Sequence, residues 1–183
     1  HDDKNGDLWL LQLSTGRNSK VYSGGIGLAG YDDISWSADS KLLAFTLNSS
    51  RQSRSQVVLY SLAEQKNAVL TSDKYTSFAP AFSPDGLWLY FVSDRQLTAT
   101  PGHPWGDRNL GPMFDRRSQL FAVSLKQQAC FAFRPVQELE NCDDKAAKAS
   151  LGGKKAALVD WDGLSARLWQ VPLASGNYSQ LAV

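Results

Sequence analysis

The chain has 183 residues, 43% of them hydrophobic, with six Trp, eight Phe and six Tyr, enough to build a packed core. Its formal charge is +1, from 19 basic and 18 acidic residues interspersed along the sequence, which argues against nucleic acid or an anionic membrane as a partner. No apolar run approaches the roughly 20 residues a helix needs to span a bilayer, and the opening His1-Asp2-Asp3-Lys4 is unlike a signal peptide.

The first strand-like run is Leu8-Trp9-Leu10-Leu11-Gln12-Leu13, followed by the polar turn Ser14-Thr15-Gly16 and a short β-rich piece, Val21-Tyr22-Ser23. Gly25-Ile26-Gly27-Leu28-Ala29-Gly30 then satisfies G-x-G-x-x-G. That motif cradles phosphate only where it opens a helix, and Tyr31 to Trp36 reads as a strand, so a flexible connection is expected rather than a nucleotide site. The stretch Asp33 to Phe45 (DISWSADSKLLAF) recurs at an offset of 46 residues as Ala79 to Phe91 (APAFSPDGLWLYF). In each copy an aromatic-Ser pair leads into a tight hairpin. In the second copy Pro84 presets φ and Gly86 takes the position that needs φ > 0.

The first run recurs as Val57-Val58-Leu59-Tyr60-Ser61-Leu62, as Leu120-Phe121-Ala122-Val123-Ser124-Leu125 and as Leu168-Trp169-Gln170-Val171-Pro172-Leu173, its final Leu spaced by 49, 63 and 48 residues. Each copy ends in a polar turn, and the first three continue into another short β-rich piece. The long interval is explained by an insertion at 94–118. Its Pro101-Gly102-His103-Pro104-Trp105-Gly106 stretch cannot continue a ladder and reads as a surface loop. A second break, Glu138 to Lys155, is rich in Lys, Asp, Ala and Gly and reads as a solvated, mobile segment. Cys130 falls in a strand-like run and Cys142 in a charged loop; one bridge or two thiols are equally open.

Four short antiparallel strands at this period, without sustained helical periodicity, predict an all-β fold, a partial β-propeller built of four-stranded antiparallel blades. At about 48 residues per repeat the sequence supplies about three to four blades, incomplete at both ends. The expected divisions are the end of one blade at 1–30, a second blade at 31–73, and a third at 76–134 with its long loop at 94–118. A mobile loop follows at 135–155, and part of a further blade at 156–183.

No constellation in the sequence predicts catalysis. The only imidazoles are His1 and His103, and no G-x-S-x-G elbow occurs. Two cysteines do not make a zinc set, and the pairs Asp2-Asp3, Asp32-Asp33 and Asp143-Asp144 lack calcium-loop spacing, so no cofactor or metal is expected. Asp94, Arg95, Asp115, Arg116 and Arg117 flank strands, where loop-to-strand ion pairs and hydrogen bonds are the simplest use. His103, Trp105, Arg108 and Arg116 are the loop residues singled out for contact with a partner. Asn48 and Asn177 begin glycosylation sequons that matter only in a eukaryotic secretory host.

The run Tyr90-Phe91-Val92-Ser93-Asp94-Arg95, followed by Pro104-Trp105-Gly106, Phe114-Asp115-Arg116 and Gln119 to Leu125, resembles the propeller sequence of the tricorn protease family. Val159-Asp160-Trp161-Asp162-Gly163-Leu164, with Arg167 and Val171 to Tyr178, is similar to a later segment of the same region. The resemblance implies a large peptidase in which propellers precede helical, PDZ-like and serine-nucleophile domains. This chain would then be a noncatalytic scaffold, granting access to peptides and positioning them for the parent's catalytic domains. The Ser-Pro-Asp-Gly repeat is shared with two alternatives, a Tol-system interaction propeller and the propeller of a prolyl-oligopeptidase-like hydrolase. Expected partners are peptides or the parent's own catalytic domains, with self-association through open blade edges. Bacterial relatives of this kind are often exported, which favours the periplasm, with the cytoplasm as the alternative.

Overall fold

The computed structural model describes residues 2–24, 28–49, 54–96, 116–127, 129–133 and 159–182. Among the described residues ten strands run in chain order: β1 Leu8–Gln12, β2 Arg17–Tyr22, β3 Leu28–Trp36, β4 Leu42–Ser49, β5 Arg54–Ser61, β6 Lys66–Val69, β7 Ser77–Phe82, β8 Trp88–Ser93, β9 Gln119–Ser124 and β10 Leu168–Gln170. They form one two-stranded sheet, β1-β2, and two four-stranded sheets, β3-β4-β5-β6 and β7-β8-β9-β10, all antiparallel. The fold is a section of a β-propeller, with two full blades and a half-blade.

The repeated Ser-x-Asp sequence is a turn device. Ser37 Oγ accepts from Leu42 N at 2.9 Å and donates to Asp39 at 2.7 Å, while Ser37 N donates to Leu42 O at 3.0 Å. In the next blade Ser83 Oγ accepts from Trp88 N at 2.9 Å and donates to Asp85 at 2.5 Å. The position that demands φ > 0 is filled by Gly86 (φ 70) in one turn and by Ser40 (φ 57) in the other. The 49-residue spacing has a similar origin, since Gly16 and Gln65 close the β1-β2 and β5-β6 turns at φ 66 and 49.

Period-2 alternation gives every central strand two buried faces. Leu42 and Ala44 of β4, with Val57 and Leu59 of β5, turn towards the neighbouring blade and meet Leu89, Phe91, Phe121 and Val123. The Phe91 and Phe121 rings stack there at 5.9 Å. The intervening residues Leu43, Phe45, Val58 and Tyr60 turn the other way and pack on Leu8 and Val21 of the half-blade. Tyr22, Tyr31 and Phe45 meet edge-on at that seam, 5.6 to 6.2 Å apart.

The structure corrects one division. Residues 168–170 do not begin a further blade. They form β10, the outer strand of the third, with Leu168 opposite Val123 and Gln170 opposite Phe121. The reason is local: the described residues just before them, 159–167, form no hairpin. Residues 159–167 instead make a short 3-10 turn after Gly163 (φ 66), which drops Val159 and Leu164 into the inter-blade core. Of the β-rich piece expected after Gln128, the described residues 129–133 form no strand; Phe131 lies buried against Trp88 and Trp169, each 5.3 Å away between ring centres. Residues 97–115 and 134–158, including most of the long insertion and the segment expected to be mobile, lie outside the described residues. Cys130 is disulfide-bonded, while Cys142 falls outside them.

Two outcomes follow. Phe91→Ala, which empties the inter-blade core, is expected to cost about 3–5 kcal/mol in urea unfolding, whereas Leu87→Ala at a partly exposed turn costs less than about 0.5 kcal/mol. The Asp39 carboxyl is held below its ordinary value of 3.8, first by the Ser37 hydroxyl and then by Lys41. A depressed folded pKa means that the turn's stabilisation is present above the unfolded value and is lost as pH falls through the folded one. NMR titration should therefore find the Asp39 midpoint below 3.8, moving up in Ser37→Ala.

Candidate functional site

In each four-stranded sheet the first strand, β3 or β7, is an edge, and these two edges lie side by side. Both are bulged at the same point of the repeat. The β3-β4 ladder skips between Asp32 and Ser35, and the β7-β8 ladder between Phe78 and Ala81. Asp33 (φ 49) and Ala79 (φ 51), 46 residues apart, both adopt the left-handed conformation there. Pro80 explains the second bulge, because it has no N–H to give to a ladder and belongs at an edge. Asp is one of the residues that tolerates the left-handed region at the first.

The bulges are joined by one carboxylate. Asp33 Oδ2 accepts from Ala79 N at 3.0 Å and from Thr46 Oγ1 at 3.1 Å, so it bridges the two blades. A third segment, Gln180-Leu181-Ala182, closes on the same place. With Asp33-Ile34-Ser35 and Ala79-Pro80-Ala81 it lines a cavity of about 390 Å3. This wall offers backbone groups, small apolar side chains and the half-exposed Ile34. Asp32, beside it in sequence, is exposed and accepts from Asn48 at 2.5 Å. No group of three or more His, Cys, Asp or Glu that could hold a metal occurs among the described residues.

A second feature is the end of the third blade from which the 94–118 insertion departs. Asp94 accepts from Thr76 N at 2.8 Å and returns its own N–H to Thr76 O at 3.2 Å, the loop-to-strand pairing expected from the sequence. The Arg95 guanidinium lies over the rings of Tyr75 and Phe121, at 5.8 and 5.5 Å. The buried Gln119 donates to Ser175 at 2.8 Å and accepts from Gln170 at 3.0 Å. Arg116 is exposed, two residues before the bridge that pairs Ser118 with Gly176. His103, Trp105 and Arg108 lie outside the described residues, so of the four loop residues only Arg116 can be placed.

The glycine-rich motif runs into β3, not into a helix. Just before it, Gly24 packs so closely on the Gly6 backbone that a Cβ would clash, and its N–H donates to Asp7 at 2.7 Å. Tyr31 donates to Gly6 O at 2.5 Å, and burial, reinforced by Tyr22 and Asp7, pushes its hydroxyl up to about 12. Sequence reasoning missed Asp33 and the 180–182 segment. A signal was available in Pro80, a proline inside a strand pattern that aligns with the Asp33-Ile34 step.

No family model matches the chain. Among curated proteins it is 33% identical over 97 residues to a protein named as a Tricorn-like protease C-terminal subunit from Sulfurisphaera tokodaii, covering 51% of this chain and 10% of that one. Its fold superposes on the crystal structure of the tricorn protease with a TM-score of 0.70 at 17% identity, over 97% of this chain and 16% of that one. A partial overlap with TolB from Acinetobacter baumannii has a TM-score of 0.41 at 22% identity, over 68% of this chain and 25% of that one. The chain thus spans about a tenth of the curated relative and about a sixth of the tricorn structure, and it is similar to a tricorn-type propeller region in both sequence and fold.

The bridging carboxylate gives a direct test. Asp33→Ala is expected to lower stability by about 1–3 kcal/mol, because it leaves the Ala79 N–H and the Thr46 hydroxyl without their acceptor. Asp32→Ala, one residue away and exposed, should change it by less than about 0.5 kcal/mol in the same denaturation measurement.

Proposed function

We propose that this chain is a noncatalytic propeller section of a tricorn-like serine peptidase, and that its inner wall admits and positions peptides for a catalytic domain elsewhere in the parent. The observation that carries the reading is the convergence of Asp33-Ile34-Ser35, Ala79-Pro80-Ala81 and Gln180-Leu181-Ala182 on one cavity at the inner edges of the blades. An extended peptide presents backbone groups and small side chains in series, and a bulged edge presents the complementary set. The near-neutral charge of the chain suits a passage that does not select strongly for charge. The similarity to tricorn-type proteins supports the assignment of the parent.

In the parent, Arg116 and the residues His103, Trp105 and Arg108 of the 94–118 insertion contact peptides or the catalytic domains at the loop-bearing end. Open blade edges give the isolated chain a tendency to associate with itself.

The test compares the 183-residue chain with its full-length parent on a mixed panel of fluorogenic peptides and with a serine-reactive probe. Labelling and turnover are expected from the parent alone. Turnover by the 183-residue chain would overturn the scaffold reading, and silence in both would favour a protein-interaction module. In an active parent, Ile34→Trp on the inner wall is expected to lower kcat/KM for long peptides more than for short ones.

A further inference from the structure

The two full blades cover equivalent faces in different ways. At the 46-residue offset Leu42 and Ala44 of β4 correspond to Trp88 and Tyr90 of β8, and at the 63-residue offset Val57 and Leu59 of β5 correspond to Leu120 and Ala122 of β9. In the second blade this face is buried by the third, through Leu89, Phe91, Phe121 and Val123. In the third blade the counterparts pack instead on Ala129, Phe131 and Val171 of the same blade. Phe131 is 4% exposed; its ring stacks on Trp169 and tilts against Trp88, which is itself 5% exposed. Residues 129–131 are therefore a cover that the third blade lays over its own face, on the side turned away from the second.

Little in the backbone holds this cover. Residues 129–133 form no strand, and the one backbone hydrogen bond that reaches them among the described residues runs from Ala129 N to Lys126 O at 3.4 Å, within the same turn. Phe133, which meets Phe131 edge-on, is itself 51% exposed. The fastening is covalent. Cys130, between Ala129 and Phe131, is disulfide-bonded, and the chain has one other cysteine, Cys142. One buried ring has to offset the ordering of its own segment, and a bridge lowers that entropy cost by closing the loop beforehand. Cys130 is an exposed residue, where a disulfide is open to attack by a dissolved thiol.

We infer that a Cys130–Cys142 bridge makes the 129–131 cover redox-sensitive, shut over Trp88 and Trp169 while the bridge is formed and released when a dithiol reductant opens it. In the opening step a thiolate of the reductant attacks one sulfur and the S–S bond breaks. The reductant's second thiol then displaces the mixed disulfide, so that the reductant is oxidised to a cyclic disulfide and its two electrons and two protons leave Cys130 and Cys142 as thiols. The cover stays shut in an oxidising compartment and opens in a reducing one. Once released, it bares the aromatic surface of Trp88, Tyr90 and Trp169. This device goes beyond the peptide-positioning wall and stands independently of any peptidase activity in the parent.

The test uses the whole 183-residue chain labelled with fluorotryptophan and followed by fluorine NMR, with resonances assigned from single Trp→Phe variants. Alkylation of the unfolded, unreduced chain is expected to label neither cysteine, and peptide mapping to recover Cys130 joined to Cys142. With dithiothreitol both become labelled, and the Trp88 and Trp169 resonances move towards the position of solvent-exposed tryptophan. Trp9 and Trp36, which belong to the half-blade and the second blade, should stay where they are. Cys142→Ser should show the shifted pair without reductant and no response to it, and Phe131→Ala should shift Trp88 with the bridge intact. A free thiol or an intermolecular bridge in the unreduced chain overturns the inference. So do Trp88 and Trp169 resonances unmoved once both thiols are released, or a Trp88 resonance unmoved by Phe131→Ala. Movement of all four resonances together on reduction also overturns it, because the bridge then holds the fold and not the cover.

Discussion

A sheet with two apolar faces has to be covered on both, and this constraint shapes the molecule. The strands β4, β5, β8 and β9 read as nearly continuous runs of Leu, Val, Phe and Tyr because alternate residues serve opposite neighbours. Phe91 and Phe121 look one way, Trp88 and Ala122 the other, and each set lies buried with its own partners. No single blade could hold such a sheet in water, so stability is a property of adjacent pairs.

The inner wall follows from the same stacking. Neighbouring blades bring their first strands side by side, and the bulges at Asp33 and Ala79 interrupt each ladder where the edges meet. The Asp33 carboxylate then uses that interruption, tying the freed Ala79 N–H of one blade to Thr46 of the other. At the far side of the blades the stitches are different in kind. Trp161 Nε1 donates to Glu64 at 2.6 Å beneath the Lys66 ammonium, 5.0 Å from the indole ring, and the Arg167 guanidinium gathers the carbonyls of Ser124, Asp160 and Asp162. The inner seam carries the proposed function, while these outer contacts fasten the 159–167 segment to its neighbours.

Much of this was legible in the sequence because the repeat is expressed through residues with strong local preferences. Ser37-Ala38-Asp39 and Ser83-Pro84-Asp85-Gly86 announce their turns, and Gly86 sits at φ 70 as its position requires. The 168–173 run misled because a strand of the right composition does not reveal which sheet it joins. Leu168-Trp169-Gln170 resembles a third strand, yet it pairs with β9, and the described residues before it, 159–167, form a 3-10 turn rather than a hairpin. The site was less legible than the fold. Asp33 is chemically ordinary until Ala79, 46 residues away, is brought to 3.0 Å from it, and the 180–182 segment carries no motif at all. Of the loop residues named from sequence only Arg116 is among the described residues, at the end of the blade from which the insertion departs.

The claim on which the account depends is that two blades share one core. Native-state hydrogen exchange measures this most directly, by comparing the opening free energies of amides in β4 and β5 with those in β8 and β9. Because Leu42, Leu59, Phe91 and Val123 belong to a single cluster, the two sets should open together, with one free energy and one denaturant dependence. Two separate isotherms, with one sheet surviving the opening of the other, would contradict it.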